Sequence, residues 1–169
     1  MPLGLSTGCF HHLHKYSITD RLVEAISLSR EFGLHGIEVN IRTIDLFSDG
    51  NPEYGRLLAV LAGNGFRDQF RFKALHLPAN TRYPSNEADQ VLPGFHKIIT
   101  TGDFGTVVFH PNNIDDPLYV LEEFPRIAAV ENMPPRKDQA VTQFDKKTKL
   151  KDFLNTWIND QPGNSVNAF

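Results

Sequence analysis

The stretch between residues 106 and 132 constrains the fold of this chain more than any other. It holds two short apolar runs, Thr-Val-Val-Phe at 106–109 and Ile-Ala-Ala-Val at 127–130. Unbroken apolar runs rich in β-branched residues are typical of parallel strands buried on both faces. His110 follows the first run and Glu131 follows the second. Because functional residues of parallel α/β proteins lie at the carboxyl ends of the strands, we expect these two side chains to share one pocket.

Further strands and helices alternate along the chain. The sequence predicts strands that start near residues 3, 36, 72, 106, 127 and 166, and most of the gaps match the roughly 33 to 39 residues of one βα unit. Helices are predicted at 19–32, 52–63, 86–101, 118–124 and 150–158. Pro93 and Gly94 should kink or split the third helix, and Gly102 should stop it. The alternation favours a parallel sheet with right-handed crossovers.

Composition and charge narrow the class of protein. The 169 residues are 40% hydrophobic, which suits one domain with a substantial core. The net charge of −3 argues against a nucleic-acid partner. The single cysteine, Cys9, cannot form an internal disulfide, and no apolar stretch reaches the ~20 residues of a membrane span. Together with the lack of a signal peptide pattern, these features predict a cytoplasmic protein.

Five strand ends carry short motifs, which in chain order are Leu5-Ser6-Thr7, Gly36-Ile37-Glu38, Leu75-His76-Leu77-Pro78, Val108-Phe109-His110-Pro111 and Ala129-Val130-Glu131-Asn132-Met133. As an ordered set they resemble the xylose isomerase-like TIM barrel superfamily, which includes sugar isomerases, epimerases and class II AP endonucleases. The resemblance implies an α/β fold of the TIM-barrel type with a parallel β/α arrangement. Residues 1–169 would form a single incomplete barrel domain, truncated after about five βα units and the start of strand six.

The same resemblance implies a metal site. In the superfamily the Glu that ends strand five is a metal ligand, which corresponds to Glu131. In the endonuclease branch the histidines that end strands three and four are zinc ligands, which correspond to His76 and His110. In the isomerase branch the remaining ligands lie on strands six to eight, which this sequence does not contain. Imidazole and carboxylate ligands predict a divalent metal, with Mn²⁺, Zn²⁺, Mg²⁺ and Fe²⁺ as the candidates.

Other polar residues near the predicted strand ends are candidates for catalysis and substrate binding. Glu38, at the end of strand two, is predicted to be catalytic or to orient a ligand or a substrate hydroxyl, although a salt bridge to Arg42 or Arg82 explains it equally well. Three residues are predicted to bind substrate: His11, Asn132 and Lys137. A solvent-exposed surface position is an alternative explanation for Lys137.

Three functions remain open at the level of sequence. The leading hypothesis is a metal-dependent isomerase or epimerase that acts on a small-molecule sugar or sugar phosphate, with Glu131 as metal ligand and proton carrier. The second is a metal-dependent phosphodiesterase related to AP endonucleases, which the paired histidines favour. The third is a catalytically silent barrel fragment. The sequence names neither the substrate nor the metal, and it leaves the oligomeric state open.

Overall fold

The computed structural model of this protein describes residues 3–10 and 17–131. These residues form one five-stranded parallel sheet in the order β1-β2-β3-β4-β5. The strands are β1 Gly4–Ser6, β2 Gly36–Asn40, β3 Phe72–His76, β4 Thr106–Phe109 and β5 Ala128–Val130. The predicted α/β class with a parallel sheet is therefore confirmed. The helix predicted at 150–158 and the strand predicted near residue 166 lie outside the described residues.

Helices connect the strands. They are α1 Ile18–Glu31, α2 Pro52–Ala62, α3 Asn64–Arg67, α4 Asn86–Gly102 and α5 Pro117–Glu123, with short 3-10 turns at Thr7–Phe10, Ile44–Phe47 and Pro111–Asn113. Ser17 caps α1, because its hydroxyl accepts a hydrogen bond from the Asp20 amide at 3.1 Å. No helix among the described residues is long and apolar enough to cross a membrane.

The expectation that Pro93 and Gly94 split a helix is wrong, because α4 runs unbroken from Asn86 to Gly102. Proline removes a single backbone donor, whereas tertiary contacts hold both halves of this helix. Phe95 and Ile98 are fully buried, and the Tyr54 hydroxyl donates to the Gly94 carbonyl at 3.4 Å. The helix ends at Gly102 and is followed by Asp103, which adopts the left-handed conformation with φ of 54°.

The strands are fully buried on one face only, which corrects the expectation of burial on both. On β2, Ile37 and Val39 are buried, whereas Glu38 and Asn40 on the opposite face are half-buried. The buried face packs against the helices, where the large core side chains are Leu22, Leu57, Leu61, Phe66, Phe95 and Phe109. The other face lines a cavity of ≈ 1150 Å³. Successive residues of a strand point to opposite faces, and both faces carry apolar side chains. The sequence therefore shows an unbroken apolar run although only one face is buried.

Candidate metal centre

Three predicted metal ligands meet at the carboxyl edge of the sheet. His76 is the last residue of β3, His110 follows β4 and Glu131 follows β5. The register pairs His76 with Val108 and Val108 with Ala129, so His110 and Glu131 each lie two residues further along neighbouring strands and on the same face. The candidate ligand atoms of the three side chains all lie within 4.8 Å of one another.

The ring of His76 lies between two hydrogen-bond acceptors. Its Nδ1 is 3.0 Å from the carbonyl oxygen of Leu77, and its Nε2 is 2.9 Å from Oε2 of Glu131. A neutral imidazole has only one N–H, so it can satisfy one of these acceptors but not both. With the proton on Nδ1 and donated to the Leu77 carbonyl, the lone pair of Nε2 faces Glu131, and a cation between the two groups would contact both.

The cluster extends from a buried end to an open one. The side chain of His76 is 7% exposed and that of Glu131 is 43% exposed. The ring of His110 contacts the ring of His76 edge to face, with centroids 4.7 Å apart. His76 is thus the buried candidate ligand, while Glu131 borders the cavity on the inner face of the sheet.

The donors fit a first-row divalent metal. Such a metal binds imidazole nitrogen and carboxylate oxygen at about 2.0–2.2 Å, so two ligands of one ion lie at most about 4.4 Å apart. The 4.8 Å limit of the cluster is close to this distance. The Nδ1 contact with Leu77 also matches the way in which metal-binding histidines are oriented, with the other ring nitrogen as the ligand. Two imidazoles favour Zn²⁺, Mn²⁺ or Fe²⁺ over Mg²⁺.

Glu38 lies on the same inner face, one strand beyond β3. The hydroxyl of Ser6 donates a hydrogen bond to Oε1 of Glu38 at 2.5 Å, and both residues line the same cavity as Glu131. Of the two salt bridges predicted as alternatives for Glu38, to Arg42 or to Arg82, the one to Arg82 is wrong, because Arg82 pairs with Asp115. Ser6 was not among the predicted site residues, although it lies in the motif that ends strand one.

The remaining predicted site residues lie outside the described residues. They are His11, Asn132 and Lys137, and their role in substrate binding stays a prediction. The metal-ligand roles of His76, His110 and Glu131 and the catalytic role of Glu38 are likewise predictions about chemistry, for which the structure supplies the positions.

Comparison with known proteins gives one similarity in fold. No family model and no curated protein matches the chain. Its fold is similar to that of an AP endonuclease, solved as "The crystal structure of AsfvAP:AG", with a TM-score of 0.51 and 12% sequence identity. The similarity covers 96% of this chain and 57% of that chain, so this chain spans little more than half of that protein's length. At this level of identity the comparison establishes the fold alone.

Proposed function

We propose that this protein is a metal-dependent phosphodiesterase of the AP endonuclease type, in which His76, His110 and Glu131 bind one divalent cation. The observation that carries the proposal is the position of His76 between two acceptors, in a cluster that already contains two further metal ligands. The histidines that end β3 and β4 match the zinc ligands implied for the endonuclease branch. The similarity in fold to an AP endonuclease supports the same branch.

The proposal includes the architecture. We propose that the five strands are the first part of a TIM-barrel-type fold of the xylose isomerase-like superfamily. The parallel order β1-β2-β3-β4-β5, with each strand beside its neighbour in sequence, is the order that such a barrel requires. Placement of the three candidate ligands at the carboxyl edge also follows the rule for this fold.

The residues of this chain have separate tasks in the proposed reaction. A bound metal would act as a Lewis acid toward a phosphoryl oxygen. The Leu77 carbonyl holds the His76 ring so that Nε2 points toward Glu131 and the cation. Glu131 supplies the negative charge that attracts the metal. Glu131 is the most exposed of the three candidate ligands, so substrate would approach the metal from its side.

The isomerase hypothesis has no comparable support. The similarity in fold is to an AP endonuclease, and the comparisons identify no isomerase or epimerase. The net charge of −3 also bears on the substrate, because an excess of negative charge weakens attraction to an extended phosphate backbone. We therefore propose that an abasic duplex is recognised mainly through the abasic sugar and its phosphate at the metal centre.

Metal binding is the first test. Calorimetric titration with Zn²⁺ and Mn²⁺ should show binding to the parent protein, loss of at least about 100-fold in affinity for Glu131→Gln and weaker binding for His76→Ala. Even residues that only orient a ligand contribute about 10–100-fold, so removal of an anionic ligand should cost more. Glu123→Gln and His96→Ala are matched controls, since these residues pair with each other at 3.3 Å on α5 and α4. Unchanged affinity in Glu131→Gln would disprove the site.

Activity is the second part of the same test. The parent protein with Zn²⁺ should cleave a duplex that contains an abasic site, and Glu131→Gln should not. Interconversion of keto- and aldo-sugars with Mn²⁺, without cleavage of the abasic duplex, would instead favour the isomerase hypothesis. A protein that binds metal but catalyses neither reaction would contradict the proposed function while leaving the metal site in place.

A further inference from the structure

Glu38 and Ser6 form a second polar group on the inner face of the sheet, beside the candidate metal centre. Glu38 is paired in register with Ala74, two residues before His76 on β3. One strand spacing of about 4.8 Å and a two-residue rise of about 6.6 Å place the Cα of Glu38 about 8 Å from that of His76. Glu38, Ser6 and Glu131 all line one cavity of ≈ 1150 Å³.

Ser6 fixes the direction of the Glu38 carboxylate. The Ser6 hydroxyl donates to Oε1 of Glu38 at 2.5 Å and accepts a hydrogen bond from the Gly8 amide at 3.1 Å. The single hydroxyl proton is thereby committed to Glu38, and the amide holds the oxygen in place. Gly8 permits this arrangement because a Cβ atom there would lie only 3.1 Å from the Ser6 oxygen.

The backbone around this pair is held in a similar way. The Thr7 hydroxyl accepts a hydrogen bond from the Asn40 amide at 2.8 Å, and Thr7 is 2% exposed. This bond ties the turn after β1 to the end of β2. Glu38 therefore projects from a pre-organised backbone, which is the condition for selective recognition of a small group.

A fixed carboxylate on a cavity wall is an acceptor for ligand donors. A carboxylate offers about four lone-pair positions, and the Ser6 hydroxyl uses one of them. The remaining capacity suits hydroxyl groups, which donate to a carboxylate in short, charge-assisted bonds. In a sugar 5-phosphate, the C1 hydroxyl lies on the far side of the ring from the phosphate. The Glu38 carboxylate likewise lies one strand away from His76, the first candidate metal ligand.

We propose that Glu38 accepts a hydrogen bond from the hydroxyl on C1 of the substrate sugar, with Ser6 as a positioning residue. This inference rests on the proposed function and names its substrate class, a phosphate ester of a sugar that carries a free hydroxyl on C1. An abasic deoxyribose has that hydroxyl, whereas an intact nucleoside carries a base at C1. Glu38 would then distinguish the two sugars by a hydrogen bond that only the C1 hydroxyl of the abasic sugar can donate.

The test compares two ligands that differ by one hydroxyl. Binding of 2-deoxyribose 5-phosphate and of 1,2-dideoxyribose 5-phosphate to the Zn²⁺-loaded full chain is measured by calorimetry. The parent protein should prefer the first ligand by about 10- to 100-fold, the range expected for one hydrogen bond to a charged group. In Glu38→Ala the ratio should fall to about one, and Glu38→Gln should give an intermediate ratio. Ser6→Ala should reduce the ratio without abolishing it.

Zinc titration of the same variants separates this inference from the proposed function. Loss of the ratio with unchanged zinc affinity in Glu38→Ala supports the inference, whereas a purely structural role of Glu38 would lower the affinity for both ligands alike. Glu24→Ala, an exposed position on α1, is the control and should keep the parent ratio. A parent protein with no preference, or a Glu38→Ala variant that keeps it, overturns the inference. Failure of the parent to bind zinc is the separate result that counts against the proposed function.

Discussion

Two glycines inside helices differ in what surrounds them, and the same substitution should have opposite effects at the two positions. A Cβ at Gly55 in α2 would meet no atom within 4 Å, so Gly55→Ala should stabilise the protein by about 0.5–1 kcal/mol. A Cβ at Gly94 in α4 would lie 2.3 Å from Cδ1 of Phe47. That ring is confined by Phe95 and Tyr54, so Gly94→Ala should destabilise the protein by about 1–3 kcal/mol.

Urea unfolding of both variants measures the difference. Gly55→Ala is the control for helix propensity, because both substitutions gain the same intrinsic preference of alanine over glycine. Stabilisation of similar size in both variants would mean that Phe47 moves away from α4 at little cost.

His76 illustrates what single residues reveal in a sequence. The positions of His76, His110 and Glu131 directly after apolar runs predicted that they would lie near one another, and the structure places their ligand atoms within 4.8 Å. The contact between His76 Nδ1 and the Leu77 carbonyl could not be predicted, because it depends on the rotamer of a buried ring. The same is true of the Ser6–Glu38 bond, which joins residues 32 positions apart.

At the scale of elements, the N-terminus of α1 offers a measurable effect of pH. Ser17 and Asp20 form a reciprocal capping box, and Arg56 donates to Asp20 at 2.8 Å. The hydrogen bond from Ser17, followed by that from Arg56, lowers the pKa of Asp20 below its ordinary value of 3.8. A carboxyl group whose pKa is lower in the folded state contributes stability above the unfolded-state value, and that contribution is lost as the pH falls through the folded-state pKa.

Ser17→Ala should therefore lower the free energy of unfolding by about 1 kcal/mol at neutral pH, the usual cost of removing an N-cap. Asp20→Asn should also be less stable than the parent at pH 7, and the difference between the two proteins should shrink as the pH is lowered below 3.8. Urea unfolding at pH 7 and at pH 3 gives both quantities. A constant difference at the two pH values would show that the ionised Asp20 side chain does not stabilise α1.

Helix boundaries show where local signals succeed and where tertiary contacts override them. The cap at Ser17 and the start of α2 at Pro52, with Asn51 accepting from the Glu53 amide at 3.0 Å, follow local rules that the sequence displays. The continuity of α4 through Pro93 does not, because the buried ring of Phe95 lies beyond the proline and packs against Phe47. The left-handed conformation of Asp103 after the helix also required the structure, since Gly102 was the more obvious terminator.

At the scale of the whole molecule, the regular spacing of apolar runs was enough to predict the α/β class with a parallel sheet. The strands β2 Gly36–Asn40 and β3 Phe72–His76 also begin at the predicted positions. The faces of the sheet were harder to predict. Val107 and Phe109 are buried, whereas Thr106 and Val108 line the cavity, so an apolar run in sequence conceals two different environments.

This division between faces predicts that core stability comes from the side of the sheet that packs against the helices. Phe109 on that side is 1% exposed and packs against Tyr83 and Phe124, with ring centroids 5.3 Å and 5.2 Å away. Phe72 lines the cavity and is 50% exposed. Phe109→Ala should lower the free energy of unfolding by about 3–5 kcal/mol, because it removes a buried ring and leaves a void. Phe72→Ala removes the same atoms from an exposed position and should cost less than about 1 kcal/mol.

Chemical denaturation of the two variants under the same conditions compares the faces directly. Equal losses would mean that the inner face of the sheet is packed as closely as the helix-covered face, and the cavity would then not be open to a ligand.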